Sequence, residues 1–291
     1  MTFISYAQNL EDVMLWRALK HIDKGFYIDA GAAWPDFDSV TKAFYMQGWR
    51  GINIEPNPKL YSQLMESRSR DINLRLAVSD VPGLLEMNFL GDSGLSTLDK
   101  DIAHKHEIEG WDVQKENVEV LTLAEVWKNH VPSGQDVHFL KIDVEGKETE
   151  VLRGSEWTCY RPWVVVVEAT LPSSQEESHD EWENTLLSSE YVFAYADGLN
   201  RFYVASEHSE LLSAFKYPPN VFDRFLLRAH QQAEEQARQA DERIRLADER
   251  ASQTMHMLNA VYNSKSWKIT KPIRSFKSFI KRVLSLISRK L

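Results

Sequence analysis

Residues 25–31, GFYIDAG, form a short apolar run that ends in an acidic residue and a glycine. A second run, GINIE at 51–55, follows a stretch whose apolar spacing predicts a helix through about 39–47. Strand, helix and strand in this order are typical of a βαβ unit, whose two strands lie parallel in one sheet. The stretch therefore predicts an α/β fold in which Asp29 and Glu55 end neighbouring strands.

Further apolar runs extend the predicted sheet. The run Val164–Val167 contains no polar residue, which favours a strand buried on both faces. Asp197-Gly198 separates the last two runs and predicts a hairpin turn. Residues 83–89 and 91–98 are interpreted as an insertion before the fourth strand. The predicted strands are 25–30, 51–55, 74–78, 137–143 and 163–169, with a closing pair at 191–196 and 201–205.

The composition is that of a chain with a buried core. It has 291 residues, 43% hydrophobic and 26% charged, which excludes whole-chain disorder and a polytopic membrane protein. The single cysteine, Cys159, excludes an internal disulfide and a zinc site built from several cysteines. No basic segment followed by an apolar run opens the chain, so no secretory signal is expected and a cytoplasmic location is predicted.

The charges divide the chain into two parts. The net charge is −9, but residues 263–291 carry nine Lys or Arg and no Asp or Glu, which leaves −18 for residues 1–262. The acidic part is not expected to bind nucleic acid, whereas the basic tail suits an anionic partner. We predict an α/β domain at 1–220, a helical spacer at 221–262 and a basic tail at 263–291.

The spacer carries a heptad pattern, which predicts a long helix with a coiled-coil seam and self-association through 229–262. The seam is rich in alanine, so weak pairing is expected. The alternative is a solvated single helix supported by charge pairs along its surface. Residues that repeat every seven positions are Ala237, Ile244, Ala251 and Leu258, and Ala240, Ala247, Thr254 and Val261 follow three residues behind them.

The tail predicts a basic amphipathic helix. Pro272 is suited to its first turn, and Trp267 lies just before it. Such a helix is typical of a segment that lies in the interface of an anionic membrane. The alternative is a helix that docks on the protein's own acidic surface. The predicted apolar face contains Ile273, Phe276, Ile280, Val283, Leu284, Ile287 and Leu291.

The ends of the first two strands point to a nucleoside ligand. Gly31 lets the backbone after Asp29 approach a ligand closely, and Glu55 is placed to accept hydrogen bonds from ribose hydroxyls. The chain has neither G-x-G-x-x-G nor G-x-x-x-x-G-K-[ST], so a nucleoside without a pyrophosphate, such as S-adenosylmethionine, fits best. Alternatively, Asp29 caps a turn and Glu55 is solvated. Asp36 and Asp38 are candidate caps of the helix that follows.

Three carboxylates are predicted at neighbouring strand ends. Asp143 and Glu145 follow the run 137–140, and Glu168 ends the next strand. Grouped carboxylates hold a proton, a divalent metal or a substrate hydroxyl, and capping or solvation is the alternative for each of them. Lys141 is interpreted as a packed residue rather than a catalytic one.

Several stretches carry a family resemblance. They are FYIDAGA (26–32), GWRGINIEPNP (48–58), LAVSD (76–80), FLKIDVEGKETEVLRG (139–154) and VVVEAT (165–170). Over about residues 3–205 the chain resembles the FkbM family of S-adenosylmethionine-dependent methyltransferases. The opening SYAQNLEDVML (5–15) and the tail motif SWKITKPIR (266–274) are similar to a bacterial branch associated with surface polysaccharides.

The resemblance implies a class I methyltransferase fold, a Rossmann-like sheet of seven mostly parallel strands with one reversed strand at its edge. It also implies that Asp143 faces the transferred methyl group and that Asp12 and Gln8 belong to an N-terminal cover. Where the family usually has Gly-Ala-Asn, this chain has Ala33 in place of the Asn. The implied cofactor-binding residues are Gln8, Asp29, Ala30, Gly31, Ala32, Glu55, Ala77, Val78, Asp80 and Asp143.

Methyl transfer to a sugar hydroxyl needs a positioned base, because the hydroxyl is a weak nucleophile. Asp143 is predicted for this role, acting directly or through a divalent metal that acidifies the hydroxyl. The other candidates for the base are Glu145, Glu168, His104 and His106. The predicted sugar contacts are Trp111, Tyr195, Asn200 and Arg201.

The predicted function is O-methylation of a sugar in a bacterial surface glycan of the O-antigen or capsule type. The tail suggests a glycolipid acceptor at the inner membrane, with the protein peripheral on its cytoplasmic side. One alternative is a small-molecule O-methyltransferase of secondary metabolism. Another is a membrane-associated scaffold whose methyltransferase domain is degenerate.

Overall fold

The structure is a computed structural model that describes residues 3–90, 113–172, 174–277 and 280. The chain divides into two compact units, residues 1–228 and residues 229–291. The first unit is the α/β domain, and the second is helical. The mixed α/β fold predicted from the sequence is confirmed.

A seven-stranded sheet forms the centre of the first unit. One strand, β11, is antiparallel to both of its neighbours, and the other strands run parallel to one another. The reversed strand therefore lies one place in from the edge, whereas the sequence predicted it at the edge. The order is β10 (Tyr191–Ala196), β11 (Asn200–Ala205), β9 (Val164–Glu168), β8 (Phe139–Ile142), β2 (Phe26–Ala30), β3 (Arg50–Ile54) and β4 (Ile72–Leu74).

Helices cover both faces of this sheet and begin at recognisable caps. Asn57 caps one helix, followed by Pro58 at its first position, and Thr122 with Glu125 forms a capping box at another. The helix predicted through 39–47 begins only after Thr41, so neither Asp36 nor Asp38 caps it. The helices are α1 (Glu11–Leu19), α2 (Lys42–Met46), α3 (Pro58–Ser67), α4 (Leu123–His130), α5 (Glu148–Arg153) and α6 (Glu183–Leu187). Short 3₁₀ segments lie at His179–Glu181, Ser206–Phe215 and Val221–Asp223.

Alternate side chains of the strands point to opposite faces of the sheet, where they form two apolar layers. On one face, Ile28, Leu140 and Val165 pack with side chains of α4 and α5. On the other face, Tyr27 and Phe139 pack with residues of α1 and α2. The valines of β9 are completely buried, as their unbroken apolar run predicted. Because both faces are covered, the carboxyl-end edge of the parallel strands is left as the place for a ligand.

A smaller sheet of three strands corrects one predicted strand. The predicted strand 74–78 is divided, because Leu74 ends β4 whereas β5 (Ala77–Val78) pairs with β7 (Val113–Leu121). Strand β6 (Gly83–Leu90) is the antiparallel partner of β7, so residues 83–89 of the predicted insertion are part of a sheet. Residues 91–98 lie outside the described ranges.

The two ends of the first unit are joined to each other. Strand β1 (Phe3–Ser5) pairs in parallel with β12 (Phe225–Leu227). Nearby, the Arg17 guanidinium donates to both carboxylate oxygens of Asp223 at 2.7 and 2.6 Å. These contacts place the end of the first unit at Arg228, so the boundary predicted after residue 220 is too early.

The second unit consists of helices with exposed side chains. Helix α7 (Arg228–Asn263) is followed by α8 (Lys265–Ile269), whose cap is Ser264. Residues 271–277 are helical again, with Pro272 in the first turn as predicted. Val283, Leu284, Ile287 and Leu291 of the predicted apolar face lie outside the described ranges. In the residues that the structure describes, no helix combines the length and apolar character needed to cross a bilayer.

Candidate active site

A cavity of about 290 Å³ lies at the carboxyl ends of β2, β3 and β8. This is the edge of an open α/β sheet at which ligands bind, and the volume is close to the lower limit of ligand pockets, about 300 Å³. Its wall is formed by Gln8, Gly31, Ala33, Trp34, Asp38, Ile54, Glu55, Pro56, Leu76, Ala77, Val78, Met87, Lys141, Asp143, Val144, Glu145 and Lys147.

The loop after β2 reaches the cavity through Gly31. Its φ is +82°, and a Cβ built on it would stand 1.7 Å from the backbone oxygen of Asp143. The N–H groups of Gly31 and Ala32 both donate to the carbonyl of Ile54 at 3.1 Å. Only glycine meets these demands, since any side chain would collide with the backbone after β8.

Glu55 is a buried carboxylate whose two oxygens are both held by the main chain. The N–H of Ala33 donates to Oε2 at 2.9 Å, and the N–H of Asn57 donates to Oε1 at 2.7 Å. Burial raises the pKa of Glu55 to about 7, although these two N–H groups lower it. Each oxygen keeps a further lone pair, so a fixed acceptor pair faces the cavity.

Asp29 lies beneath the cavity wall and is not part of it. Its Oδ2 accepts a hydrogen bond of 2.9 Å from the Thr41 hydroxyl, and its Oδ1 is buried without a hydrogen bond, 3.8 Å from the Lys141 ammonium. Burial raises the pKa of Asp29. Asp29 therefore stabilises the loop after β2 through its contacts with Thr41 and Lys141 and does not contact the cavity.

Arg68 is a fully buried residue that the sequence analysis did not identify. Its guanidinium donates to the carbonyl of Pro35 at 3.0 Å and to the hydroxyl of Ser39 at 2.9 Å. It also donates to the Thr41 hydroxyl at 3.3 Å. The segment that carries Trp34 and Asp38 to the cavity is fastened in this way. A lone arginine at the end of a helix carries no sequence signal for such a role.

Lys141 joins the loop after β2 to the loop after β8. Its ammonium lies 3.0 Å from Oδ2 of Asp143 and donates to the carbonyl of Gly31 at 3.2 Å. Burial lowers the pKa of Lys141, but the carboxylates of Asp143 and Asp29 outweigh burial and raise it above the ordinary value. Lys141 is packed, as predicted, and it also lines the cavity as the cation among these carboxylates.

Asp143 and Glu145 share the cavity wall, with Glu148 buried close by. Burial, together with the negative charges of Asp143 and Glu148, raises the pKa of Glu145 to about 8. Glu145 has a φ of +54°, a left-handed conformation uncommon for a side-chain-bearing residue. Glu148 accepts the N–H groups of Val144 and Gly146 at 3.1 and 3.2 Å, and burial raises its pKa to about 7. These two hydrogen bonds therefore stabilise the main chain of the acidic loop, residues 143–146.

Glu168 stands behind Asp143 and does not line the cavity. Burial and the charge of Asp143 raise the pKa of Glu168 far above its ordinary value. A carboxyl group that stays protonated is a hydrogen-bond donor. The three carboxylates predicted at strand ends are thus brought together, but Glu168 is suited to supporting Asp143 rather than to contacting a ligand.

The N-terminal segment forms one side of the cavity through Gln8. Asp12 is buried below it and accepts from the hydroxyl of Ser5 and the N–H of Tyr6, at 2.7 and 2.8 Å. Burial raises the pKa of Asp12 to about 6. Gln8 therefore contributes to the cavity wall, and the hydrogen bonds of Asp12 stabilise the segment that carries it.

The opposite wall is apolar. Leu76, Ala77 and Val78 belong to it, and Met87 from β6 joins them. Met87 was not among the predicted residues, because residues 83–89 were interpreted as part of an insertion. Asp80 is exposed and, like Ala30 and Ala32, does not line the cavity.

Other predicted residues lie elsewhere. Asn200 is buried and donates to Glu11 at 2.9 Å, and Arg201 donates to Glu183 at 2.8 Å. Neither of them lines the cavity, and the same holds for Tyr195. Among the described residues, no group of three or more His, Cys, Asp or Glu is arranged to hold a metal ion. His104, His106 and Trp111 lie outside the described ranges.

The wall fits a nucleoside that carries a positive charge. Glu55 offers fixed acceptors for a pair of neighbouring hydroxyls, and the side chains around Val78 and Met87 suit a flat base. Gly31 permits close approach of the backbone. The negative charge of Asp143 favours a cation between these features. S-adenosylmethionine has this combination of groups.

Comparison with known proteins gives one match, to a family model. The family model described as the methyltransferase FkbM domain matches residues 29–195, which include Glu55, Asp143, Glu145 and Glu168. A search of curated proteins finds no match. Methyltransferases of this family generally use S-adenosylmethionine. Because the match covers more than half of the chain, this protein belongs to the FkbM methyltransferase family.

Proposed function

We propose that this protein transfers a methyl group from S-adenosylmethionine to a hydroxyl oxygen of a sugar. The observation that carries the proposal is a pair of carboxylates facing one cavity from two strand ends, Glu55 after β3 and Asp143 after β8. One of them suits a ribose, and the other suits the hydroxyl that accepts the methyl group. Membership of the FkbM family supports methyl transfer as the reaction.

Glu55 and Gly31 are the residues proposed to hold the cofactor. Glu55 accepts hydrogen bonds from the ribose hydroxyls, since backbone N–H groups already fix both of its oxygens. Leu76 and Val78 provide apolar contact for the adenine. When bound, S-adenosylmethionine supplies a methyl group on a positively charged sulfur.

Asp143 is proposed to accept the proton of the sugar hydroxyl. Lys141, 3.0 Å from its Oδ2, fixes the orientation of the carboxylate. The pKa of the neighbouring Glu168 is raised by burial and by the charge of Asp143, which favours a protonated carboxyl group beside the proposed base. Glu145 is the second candidate base, because a pKa of about 8 lies near the pH at which proton transfer is efficient. The pH profile separates them, since only a reaction that depends on Glu145 follows an ionisation near pH 8.

Two aromatic side chains favour a sugar as the acceptor. Trp34 lines the cavity, and Phe37 packs edge-to-face against it with ring centroids 5.6 Å apart. Phe37 is 61% exposed, which leaves an aromatic surface next to Trp34. Aromatic rings pack against the apolar faces of sugar rings, while carboxylates bind the hydroxyls at their edges.

The basic tail is proposed to bring the enzyme to its acceptor. Ile269, Ile273 and Phe276 are strongly exposed there, and Lys271 and Arg274 lie between them. A helix of this kind binds anionic bilayers through buried apolar area and charge. A glycolipid acceptor of the bacterial surface-polysaccharide type, assembled at the inner membrane, would meet the enzyme at that surface.

Transfer of a labelled methyl group tests the proposal. The full chain is incubated with S-adenosylmethionine labelled on the methyl carbon and, separately, with lipid-linked glycans and with a small-molecule extract. We expect label in the glycan, lost in Asp143→Asn and kept in Asp136→Asn, an exposed control. Label in small molecules alone would favour secondary metabolism. A folded protein that binds the cofactor yet labels neither fraction would contradict the proposal.

A further inference from the structure

Helix α7 is long, and its side chains are exposed. It has 36 residues and none of them is buried. Seven large apolar residues on it are substantially exposed, and three of them, Ile244 at 60%, Leu258 at 45% and Val261 at 50%, lie at heptad spacing. The other four are Leu246, Met255, Met257 and Tyr262. Exposed apolar side chains at regular helical spacing mark a surface that another helix covers.

These residues belong to a single heptad register. Ile244 and Leu258 occupy first positions, called a, and Val261 occupies a fourth position, called d. Two a or d residues per seven give the narrow stripe of a coiled-coil seam rather than the wider face of a helix that packs on a globular core. The geometry of the seam therefore points to another helix as the occupant.

Charged residues beside the seam indicate which kind of helix can pair with α7. Arg243 and Arg250 stand at g positions, and Asp241 and Asp248 stand at e positions. The ion pairs formed within the helix lie elsewhere, since Arg245 pairs with Glu242 at 2.6 Å and with Glu249 at 3.7 Å, at positions b and f. Neither Arg243 nor Asp248 takes part in these ion pairs. Charges beside the seam are thus available to a second helix.

The signs of these charges favour a parallel arrangement of two identical helices. In a parallel dimer in register, a g residue faces the e residue of the partner's next heptad. Arg243 then faces Asp248 of the partner subunit, and symmetry repeats the contact. In an antiparallel pair g faces g and e faces e, which would oppose arginine to arginine and aspartate to aspartate. We propose that α7 forms a parallel, in-register, two-stranded coiled coil with a second copy of this chain.

The proposal is independent of the methyl-transfer reaction. It has a consequence for the helical segment 265–277, which follows α7 in the chain. In a parallel coiled coil, both copies of this segment leave from the same end of the seam. Two linked basic segments bind one anionic surface with an effective concentration that a single copy lacks.

Disulfide trapping in the full chain tests the orientation. The exposed Cys159 is first changed to serine. Ile244→Cys and Leu258→Cys are then made separately, and Glu242→Cys at an outward f position serves as the control. Equivalent a residues face each other in a parallel dimer, whereas a faces d in an antiparallel one. We expect oxidation to link both seam variants into dimers and to leave the control monomeric on a denaturing gel. Failure of either seam variant to link would overturn the proposal.

Charge reversal tests the register. Sedimentation equilibrium of the full chain is expected to show a monomer–dimer equilibrium. Arg243→Glu is expected to raise the dissociation constant about tenfold, since two attractive contacts become repulsive. The paired variant Arg243→Glu/Asp248→Arg should restore it, and Arg238→Glu at an outward b position should change it less than about twofold. A monomer at all concentrations, a trimer, or a paired variant no better than Arg243→Glu would overturn the proposal.

Discussion

The backbone oxygen of Asp143 occupies the place where a side chain on residue 31 would begin. A Cβ built on Gly31 would lie 1.7 Å from that oxygen. The contact fixes the distance between two loops. The loop after β2 is hydrogen-bonded to Ile54, next to Glu55, and the loop after β8 carries Asp143 and Glu145. The two loops of the proposed site can therefore lie in contact only because residue 31 has no side chain.

Gly31→Ala should separate these two loops. We expect a loss of stability of at least about 3 kcal/mol, because backbone overlap adds to the cost of a left-handed residue, together with loss of cofactor binding. Gly48→Ala is the matched control, since Gly48 also has positive φ but nothing lies within 4 Å of its added Cβ. It should cost only about 1–2 kcal/mol and leave binding intact. Equal thermal shifts for the two variants would show that the overlap is unimportant.

Ala33→Asn should stabilise the protein. Ala33 has a φ of +47°, a conformation that Asn tolerates better than Ala. We expect a gain of about 0.5–1 kcal/mol in the free energy of unfolding, measured by denaturant titration. Ala32→Asn, at the neighbouring buried position, should instead destabilise. A loss of stability in Ala33→Asn would mean that the site has no room for the amide.

Strands that are buried on both faces of the sheet could be predicted from the sequence, whereas pairings between distant segments could not. The runs around Ile28, Ile52 and Val165 are apolar enough to mark strands without any neighbour, and Glu55 was found as the acidic end of one of them. Strand β7, VQKENVEVL, has four consecutive polar residues at 114–117, so its sequence does not predict a strand, and it becomes one through its pairing with β6. That pairing also draws Ala77 and Val78 out of the predicted strand 74–78.

Long-range polar contacts were hidden from the sequence for the same reason. Arg68 looks like any surface arginine at the end of a helix, yet it is completely buried among main-chain and hydroxyl acceptors of the loop at 35–41. Strand β12 has only three residues and acquires its structure from β1, more than 200 positions away. Local patterns carry no trace of either contact.

Stability should fall as the pH rises from about 5.5 to 8. Burial raises the pKa of Glu11, Glu55 and Glu148 to about 7 each, whereas the unfolded chain ionises near the ordinary value of about 4.3. Between these values the folded state binds more protons than the unfolded state, so raising the pH favours unfolding.

Calorimetric unfolding across this range measures the effect. We expect the melting temperature to decrease by about 5 °C or more between pH 5.5 and 8. Glu55→Gln should show a shallower decrease, because one of the ionising groups is gone. A melting temperature that rises with pH over this interval would show that these carboxylates are ionised in the folded protein near their ordinary pKa.

Truncation should locate the end of the catalytic unit. A chain that ends at residue 228 keeps β12 and the ion pair between Arg17 and Asp223. A chain that ends at residue 220 loses both, which leaves the edge of β1 unpaired ahead of Gln8. We expect the shorter chain to melt at least about 5 °C lower and to bind S-adenosylmethionine more weakly. Identical melting of the two truncated chains would place the boundary where the sequence suggested.

The most direct test of the account is a calorimetric titration of the full chain with S-adenosylmethionine at pH 8, where Glu55 is mostly ionised. Glu55→Gln is titrated beside it, with Glu66→Gln, an exposed residue on α3, as the control. We expect micromolar binding by the wild type and by the control, and binding weakened about tenfold or more in Glu55→Gln, since hydrogen bonds to a charged group contribute about 1.5–3 kcal/mol. A folded wild-type chain that does not bind, or one whose affinity is unchanged by Glu55→Gln, would contradict it.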